Sequence, residues 1–204
     1  VLKDGNIKKV LVDNTVQSMS PDCATCKHLY WGKVIEVVKK ELPEFENSLI
    51  LGLGGGTLAH MISQNFSNPS IISIDVDPVM VDIAKEYFEA DKIPNHRIIT
   101  EDALRVVVDP LKYDIEPSSL DLLIVDILNG KRYPDLGKSG NFVGALCDLI
   151  RTGGLLVFNR IYTVDHQEDV NNFMKFLEGF LDDVDSETVA GYTNSDNIII
   201  YGKV

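Results

Sequence analysis

One feature constrains the fold of this chain more than any other: short apolar runs alternate with stretches of helical spacing. The runs are Leu49–Leu53, Ser70–Ile74, Arg97–Thr100, Leu120–Val125 and Leu155–Asn159. Between and after them, helices are expected at Thr57 to Phe66, Pro78 to Phe88, Asp102 to Val108, Phe142 to Ile150 and Glu168 to Leu181. Runs without polar alternation are strands buried on both faces, and strands separated by helices pair in parallel through right-handed crossovers. The expected class is α/β, with a parallel sheet covered on both faces. Gly153-Gly154 reads as a stop before the Leu155 strand. Residues 187–192 and 197–204 read as two strands around Thr193-Asn194-Ser195-Asp196. Such a hairpin cannot continue a parallel pattern, so an antiparallel strand is expected at one edge.

Ahead of this body, residues 7–12 and 15–19 flank Asp13-Asn14 as strand, turn and strand. A boundary near Pro21 separates an N-terminal β-hairpin, residues 1–21, from the body, residues 22–204. A helix follows from about His28 to Leu42, and Pro43 stands after its stop. With 204 residues, one domain is the expected organisation. The 19 basic and 31 acidic side chains give a net charge of −12, which repels phosphate backbones and argues against nucleic acid as a partner. Cationic partners remain compatible. No apolar run has the length of a membrane helix and no signal peptide is evident, so a cytoplasmic protein with no membrane partner is expected.

Cys23 and Cys26 form a CxxC with His28 nearby, and Cys147 lies far away. A structural zinc wants four ligands, and no second pair follows, so no metal is assigned. A thioredoxin-type motif would begin a helix after a strand, within a redox fold that is not evident here. Two reduced thiols before a helix are the plainer reading. His60, His96 and His166 form no ligand set, and without a GxSxG there is no support for a hydrolase.

Ligands of open α/β sheets bind outside the carboxyl ends of the strands. Gly52-Leu53-Gly54-Gly55-Gly56-Thr57 follows the first run, and glycines there let a nucleotide-like ligand approach the backbone. A tight packing turn is the alternative, and the spacing excludes a triphosphate P-loop. Asp75 stands about twenty residues on, where a carboxylate can accept both hydroxyls of a ribose. Asp77 before Pro78 suits a helix N-cap equally well. Glu101-Asp102 either meets an adenine amino group or caps the next helix. Asp126 closes a buried apolar strand, a place with few structural uses for a carboxylate. Asn129 and Asn159 lie on the same rim.

The segments 49–58, Ser73-Ile74-Asp75-Val76-Asp77-Pro78, Glu101-Asp102-Ala103 and Leu123-Ile124-Val125-Asp126 together resemble the S-adenosylmethionine-dependent methyltransferase superfamily. Within it the chain is similar to the spermidine synthase-like, or polyamine aminopropyltransferase-like, branch. Residues 11–18 resemble the hairpin that precedes the catalytic domain there. The resemblance implies a Rossmann-like, seven-stranded methyltransferase sheet with one antiparallel strand, preceded by a small β-hairpin. It implies a cofactor, S-adenosylmethionine or decarboxylated S-adenosylmethionine. It further implies that Gln17, Gly52, Gly54, Gly55 and Val76 meet that cofactor, Asp75 holds its ribose, Glu101, Asp102 and Ala103 meet its adenine, and Asp126 faces its sulfonium end.

Three departures bear on the reaction. Aminopropyltransferases carry an aspartate where Gly54 stands, a second where Asn129 stands, and a Tyr-His pair where this chain reads Tyr30-Trp31. Loss of the two carboxylates removes the negative pocket for a diamine and also a repulsion against the carboxylate of the intact cofactor. The expected activity is methyl transfer to a nitrogen or oxygen acceptor, small molecule or protein, with Asp126 and Asn129 as catalytic residues. Aminopropyl transfer (spermidine synthase activity) and a non-catalytic binding protein are the alternatives. A homodimer is left open.

Overall fold

The computed structural model describes residues 1–12, 15–20, 23–127, 139–162, 166–190 and 196–204. Strands β1 (Leu2–Asp4), β2 (Ile7–Val12) and β3 (Thr15–Met19) form an antiparallel sheet in that order. The sequence predicts only two of them, because Leu2-Lys3-Asp4 is too short to show a period. The expected turn at Asp13-Asn14 and the boundary at Pro21 lie outside the described residues.

After a 3₁₀ turn at Ala24–His28 the body runs α1 (Tyr30–Glu41), β4 (Asn47–Leu51), α2 (Thr57–Asn65), β5 (Ser70–Asp75), α3 (Pro78–Phe88) and β6 (His96–Thr100). It continues with α4 (Ala103–Val108), β7 (Leu120–Val125), α5 (Gly140–Leu149), β8 (Ile150–Tyr162), α6 (Gln167–Leu177), β9 (Asp182–Val189) and β10 (Asp196–Lys203). These strands form one seven-stranded sheet in the order β6-β5-β4-β7-β8-β10-β9. The first five are parallel, and β10 runs antiparallel to both of its neighbours.

The antiparallel strand is therefore one place in from the edge, and β9 takes the edge itself. Burial explains the arrangement. Ile198, Ile199, Ile200 and Tyr201 of β10 are buried and want a strand on each side, whereas Asp182, Asp183, Asp185 and Glu187 make β9 a polar strand fit for an edge. Nor do Gly153-Gly154 stop a helix. Strand β8 already begins at Ile150, and its register against β7 shifts between the pairs Leu120–Ile150 and Leu122–Leu155, as at a bulge.

Alternate residues of each central strand enter opposite layers. Ile50, Leu122, Ile124 and Val157 pack with residues of α1, α2 and α3, whereas Leu49, Leu51, Leu123, Val125 and Phe158 pack with α5 and α6. Both faces being apolar, the runs carry no alternation in sequence. Between β4 and β7 the strand order reverses, so the crossovers leave in opposite directions and open a cleft at the carboxyl ends. Among the described residues, no helix is long and apolar enough to cross a membrane.

Candidate active site

A cavity of about 530 Å³ occupies that cleft. Its floor is the turn after β4. Gly52 has φ +103°, and a Cβ there would stand 2.2 Å from the Asp126 carbonyl oxygen, so glycine is required where β7 passes close by. The Leu53 and Gly54 N–H groups each donate to one carboxylate oxygen of Asp75 at 3.1 Å, while the Asp77 N–H donates to the other at 3.0 Å. Burial raises the Asp75 pKa against these bonds. Three of roughly four acceptor positions are thus taken, and Asp75 shapes the glycine turn as well as facing the cavity.

The hairpin forms a wall of the cavity and is stitched to that turn. The Gly55 N–H donates to Ser18 Oγ at 2.6 Å, the Met19 N–H donates to Thr57 Oγ1 at 3.1 Å, and the Thr57 hydroxyl donates to the Met19 carbonyl at 2.8 Å. Gly55 therefore packs under Ser18, and it is not among the residues lining the cavity. Gln17 does line it, and its Nε2 is buried without a hydrogen-bond partner. A buried amide donor left unmatched costs about 1–3 kcal/mol, so this one fits a site that supplies an acceptor from a ligand.

Beyond the ends of β5 and β6, Val76, Glu101, Asp102 and Ala103 line the cavity. Asp102 caps α4, accepting from the Leu104 N–H at 2.9 Å, so the structural alternative holds for it while it still faces the cleft. Glu101 accepts from the Asp102 N–H and the Tyr113 hydroxyl, contacts that hold its pKa below the ordinary value. Asp77 caps α3 and also borders the cavity.

Asp126 closes the opposite end. Its carboxylate accepts from the Tyr30 hydroxyl at 3.0 Å and from Asn159 Nδ2 at 2.6 Å, and Asn197 Nδ2 donates on to Asn159 Oδ1 at 2.9 Å. Burial lifts the Asp126 pKa to about 7, the two donors acting in the other direction. Tyr30 is pushed well above its usual value by burial and by this carboxylate. Trp31 lies 4.5 Å from Tyr30 between ring centroids, and with Ile127 and Phe142 it gives this end apolar walls. A half-enclosed carboxylate in a cavity with apolar walls suits an amine.

The cleft thus gathers Gln17, Gly52, Gly54, Asp75, Val76, Glu101, Asp102, Ala103 and Asp126 around one space. Asn129 lies outside the described residues. Sequence reasoning missed Ser18, Thr57 and Asn197. Ser18 and Thr57 act through backbone groups distant in sequence, and Asn197 reaches the site only through Asn159. No spacing signals either.

No family model matches the chain. A polyamine aminopropyltransferase from Vibrio vulnificus is 29% identical over 128 residues, 61% of this chain and 42% of that protein. An eEF1A lysine and N-terminal methyltransferase homolog from Drosophila pseudoobscura pseudoobscura is 24% identical over 110 residues, 47% of this chain and 16% of that protein. The match thus spans less than half the length of either relative. Among solved structures, a probable spermidine synthase from Corynebacterium glutamicum superposes with a TM-score of 0.74 at 18% identity, covering 96% of this chain and 71% of that one. Human methyltransferase-like protein 13 in complex with SAH gives 0.69 at 16% identity, covering 89% and 82%. The structural likenesses establish the fold. Relatives and neighbours alike carry the names of aminopropyltransferases, spermidine synthases and methyltransferases, the two kinds of protein that the sequence resembles.

Proposed function

We propose that this protein transfers the methyl group of S-adenosylmethionine to an amine nitrogen. The observation that carries the reading is the unmatched Nε2 of Gln17 in the cavity that Gly54 also lines. The Gln17 amide offers a donor for a carboxylate, Gly54 itself brings no side-chain anion for an amine, and the neighbouring Asp75 carboxylate is engaged by the Leu53, Gly54 and Asp77 N–H groups. The fit favours the intact cofactor over its decarboxylated form. When bound, the cofactor supplies an electrophilic methyl on a sulfonium, so the protein's task is chiefly alignment. Asp75 would hold the ribose, and Glu101 and Asp102 would border the adenine.

Asp126 has the role at the acceptor. An ammonium group must lose a proton before its nitrogen can attack, and a carboxylate with a pKa of about 7 is placed to accept it near neutral pH. Tyr30 and Asn159 fix the carboxylate's orientation. The names of the Drosophila relatives point to an amine carried by a protein as the acceptor. The second reading is aminopropyl transfer, favoured by the match to the Vibrio vulnificus enzyme.

Calorimetric titration with S-adenosylmethionine, its decarboxylated form and S-adenosylhomocysteine tests the choice, followed by assays of peptide methylation and of spermidine formation from putrescine. The intact cofactor is expected to bind more tightly, by about 1–2 kcal/mol. Tighter binding of the decarboxylated form together with spermidine production would reverse the order of the two readings.

A further inference from the structure

Behind Asp126 runs a chain of side chains of which the reaction above uses only the first link. Asn159 Nδ2 donates to Asp126 Oδ1 at 2.6 Å, and Asn197 Nδ2 donates to Asn159 Oδ1 at 2.9 Å. Asp126 follows β7, Asn159 lies near the end of β8, and Asn197 stands at the start of β10. Register brings the three together. Asn159 follows Phe158, the parallel partner of Val125, and so comes level with Asp126 on the same face of the sheet. Asn197 pairs with Ile161, two residues beyond Asn159 on that face, a diagonal within side-chain reach. Because β10 is antiparallel, its first residues lie at the carboxyl ends of β7 and β8, where the cleft opens.

An amide is asymmetric, with a donor at one end and an acceptor at the other. With its NH2 toward Asp126, Asn159 stabilises the carboxylate. Turned about χ2, its carbonyl would face Asp126 and favour the protonated acid. Asn197 settles that choice, because its own NH2 takes the Asn159 oxygen as acceptor. A turned Asn159 would set two NH2 groups against each other, so a reversal would have to turn both amides together. Asn159 is 0% exposed, which leaves it no bulk water to make good a mismatch.

The remaining neighbours act from other sides. Tyr30 of α1 donates to the second oxygen of Asp126, and Asp75 at the end of β5 disfavours its ionisation through like charge. Asp77, Glu101 and Asp102 border the same cavity, whereas Trp31, Ile127 and Phe142 bring no charge to it. Arg160 and Asp196, next in sequence to the two amides, alternate to the opposite face, where Arg160 stacks on Phe173.

We propose that Asn197 is a positioning residue of the active site: it holds the Asn159 amide with its NH2 end toward Asp126, and so keeps Asp126 a carboxylate able to take the acceptor's proton. The inference rests on the role given to Asp126 above, but only its kinetic test depends on that role.

Carbon-13 NMR of the aspartate carboxyl groups reads the Asp126 midpoint in the protein without cofactor, the signal being the one absent from Asp126→Asn. Asn197→Leu keeps much of the side chain's shape and removes the donor. It is expected to move the midpoint upward by about one pH unit. Asn159→Leu should move it further, and adding Asn197→Leu to that variant should change nothing more, because Asn197 acts through Asn159. In wild-type protein the Nδ2 protons of both amides should titrate with the Asp126 midpoint, a reading that stands even if a leucine variant fails to fold. In methyl-transfer assays Asn197→Leu should lose about fivefold in kcat/KM near pH 7 and recover it near pH 9. A midpoint that Asn197→Leu leaves in place, or moves equally with and without Asn159, overturns the proposal, as do Asn197 amide protons that ignore that midpoint. A midpoint that moves while the pH–rate profile does not upholds the link from Asn197 to Asp126 and overturns the role of Asp126 as the base.

Discussion

Asp126 ends a strand whose residues are all buried, and its carboxylate is lifted to about 7 by that burial. A carboxyl group whose folded pKa lies above its unfolded value stabilises the fold fully below the unfolded value. That contribution is lost as pH rises through the folded value. Stability is therefore expected to fall between about pH 4 and pH 7, by an amount on the order of a few kcal/mol. Asp75, also raised by burial, adds to the slope in the same direction. The Asp126→Asn variant should flatten the slope in denaturant melts at pH 5, 6, 7 and 8, and equal slopes in variant and wild type would dismiss the assignment. Gly54 gives a second test. It has φ +52°, and a Cβ there would stand 2.7 Å from Ser18 Oγ, which holds the Gly55 N–H. Gly54→Asp alone should displace that hydroxyl and weaken every nucleoside ligand by roughly tenfold or more. Pairing it with Ser18→Ala makes room for the carboxylate, and calorimetry should then show preference moving toward decarboxylated S-adenosylmethionine. A single variant that binds as tightly as wild type would show that Ser18 does not set the residue at 54.

The hairpin contributes a wall to the site through Thr57, the first residue of α2, which both donates to and accepts from Met19. Thr57→Val keeps the shape and leaves two buried backbone groups of Met19 unpaired, a change expected to cost about 1–3 kcal/mol. Denaturant midpoints check the stability. Weaker binding of S-adenosylhomocysteine checks the second consequence, release of Gln17 and Ser18 from the cavity; loss of stability with binding intact would separate the hairpin from the site. How far such elements could be read in advance depended on local chemistry. Helix α3 falls at Pro78–Phe88 as the sequence predicts, because Asp77 caps it and Pro78 suits its first turn. Strands β5 and β7 were legible as β-branched or aliphatic runs ending in a carboxylate. Strand β8 was legible over Leu155–Asn159 but not from its start at Ile150, since Gly153-Gly154 reads as a stop until a partner strand shows it to be a bulge. Strand β9 carries Asp182, Asp183, Asp185 and Glu187, and only its pairing with β10 makes it a strand. The same division holds in the cleft. Residues at strand ends could be named from position, but the bonds of Ser18, Thr57 and Asn197 depend on tertiary contact.

The whole molecule sets its charge against its cleft. A net charge of −12 gives the surface a negative field over distances that no single contact spans, and the proposed acceptor, an ammonium group on a basic protein segment, is its opposite. Attraction of this kind raises the encounter rate and is screened by salt, with a Debye length of roughly 30 Å at 0.01 M and about 8 Å at 0.15 M. Inside the cleft, Asp126 would meet the proposed acceptor at contact distance beside apolar side chains, where screening is weak. The two ranges predict different behaviour for acceptors of different charge. For a lysine-rich peptide the KM should rise by roughly tenfold between these salt concentrations while kcat stays level. For a short acceptor with one amine and no other charge, KM should change little. Initial rates of methyl transfer at the two salt concentrations decide the matter. If the lysine-rich peptide's KM is flat or falls as salt increases, the surface charge has no part in recruiting the acceptor, and recognition is confined to the contacts around Asp126.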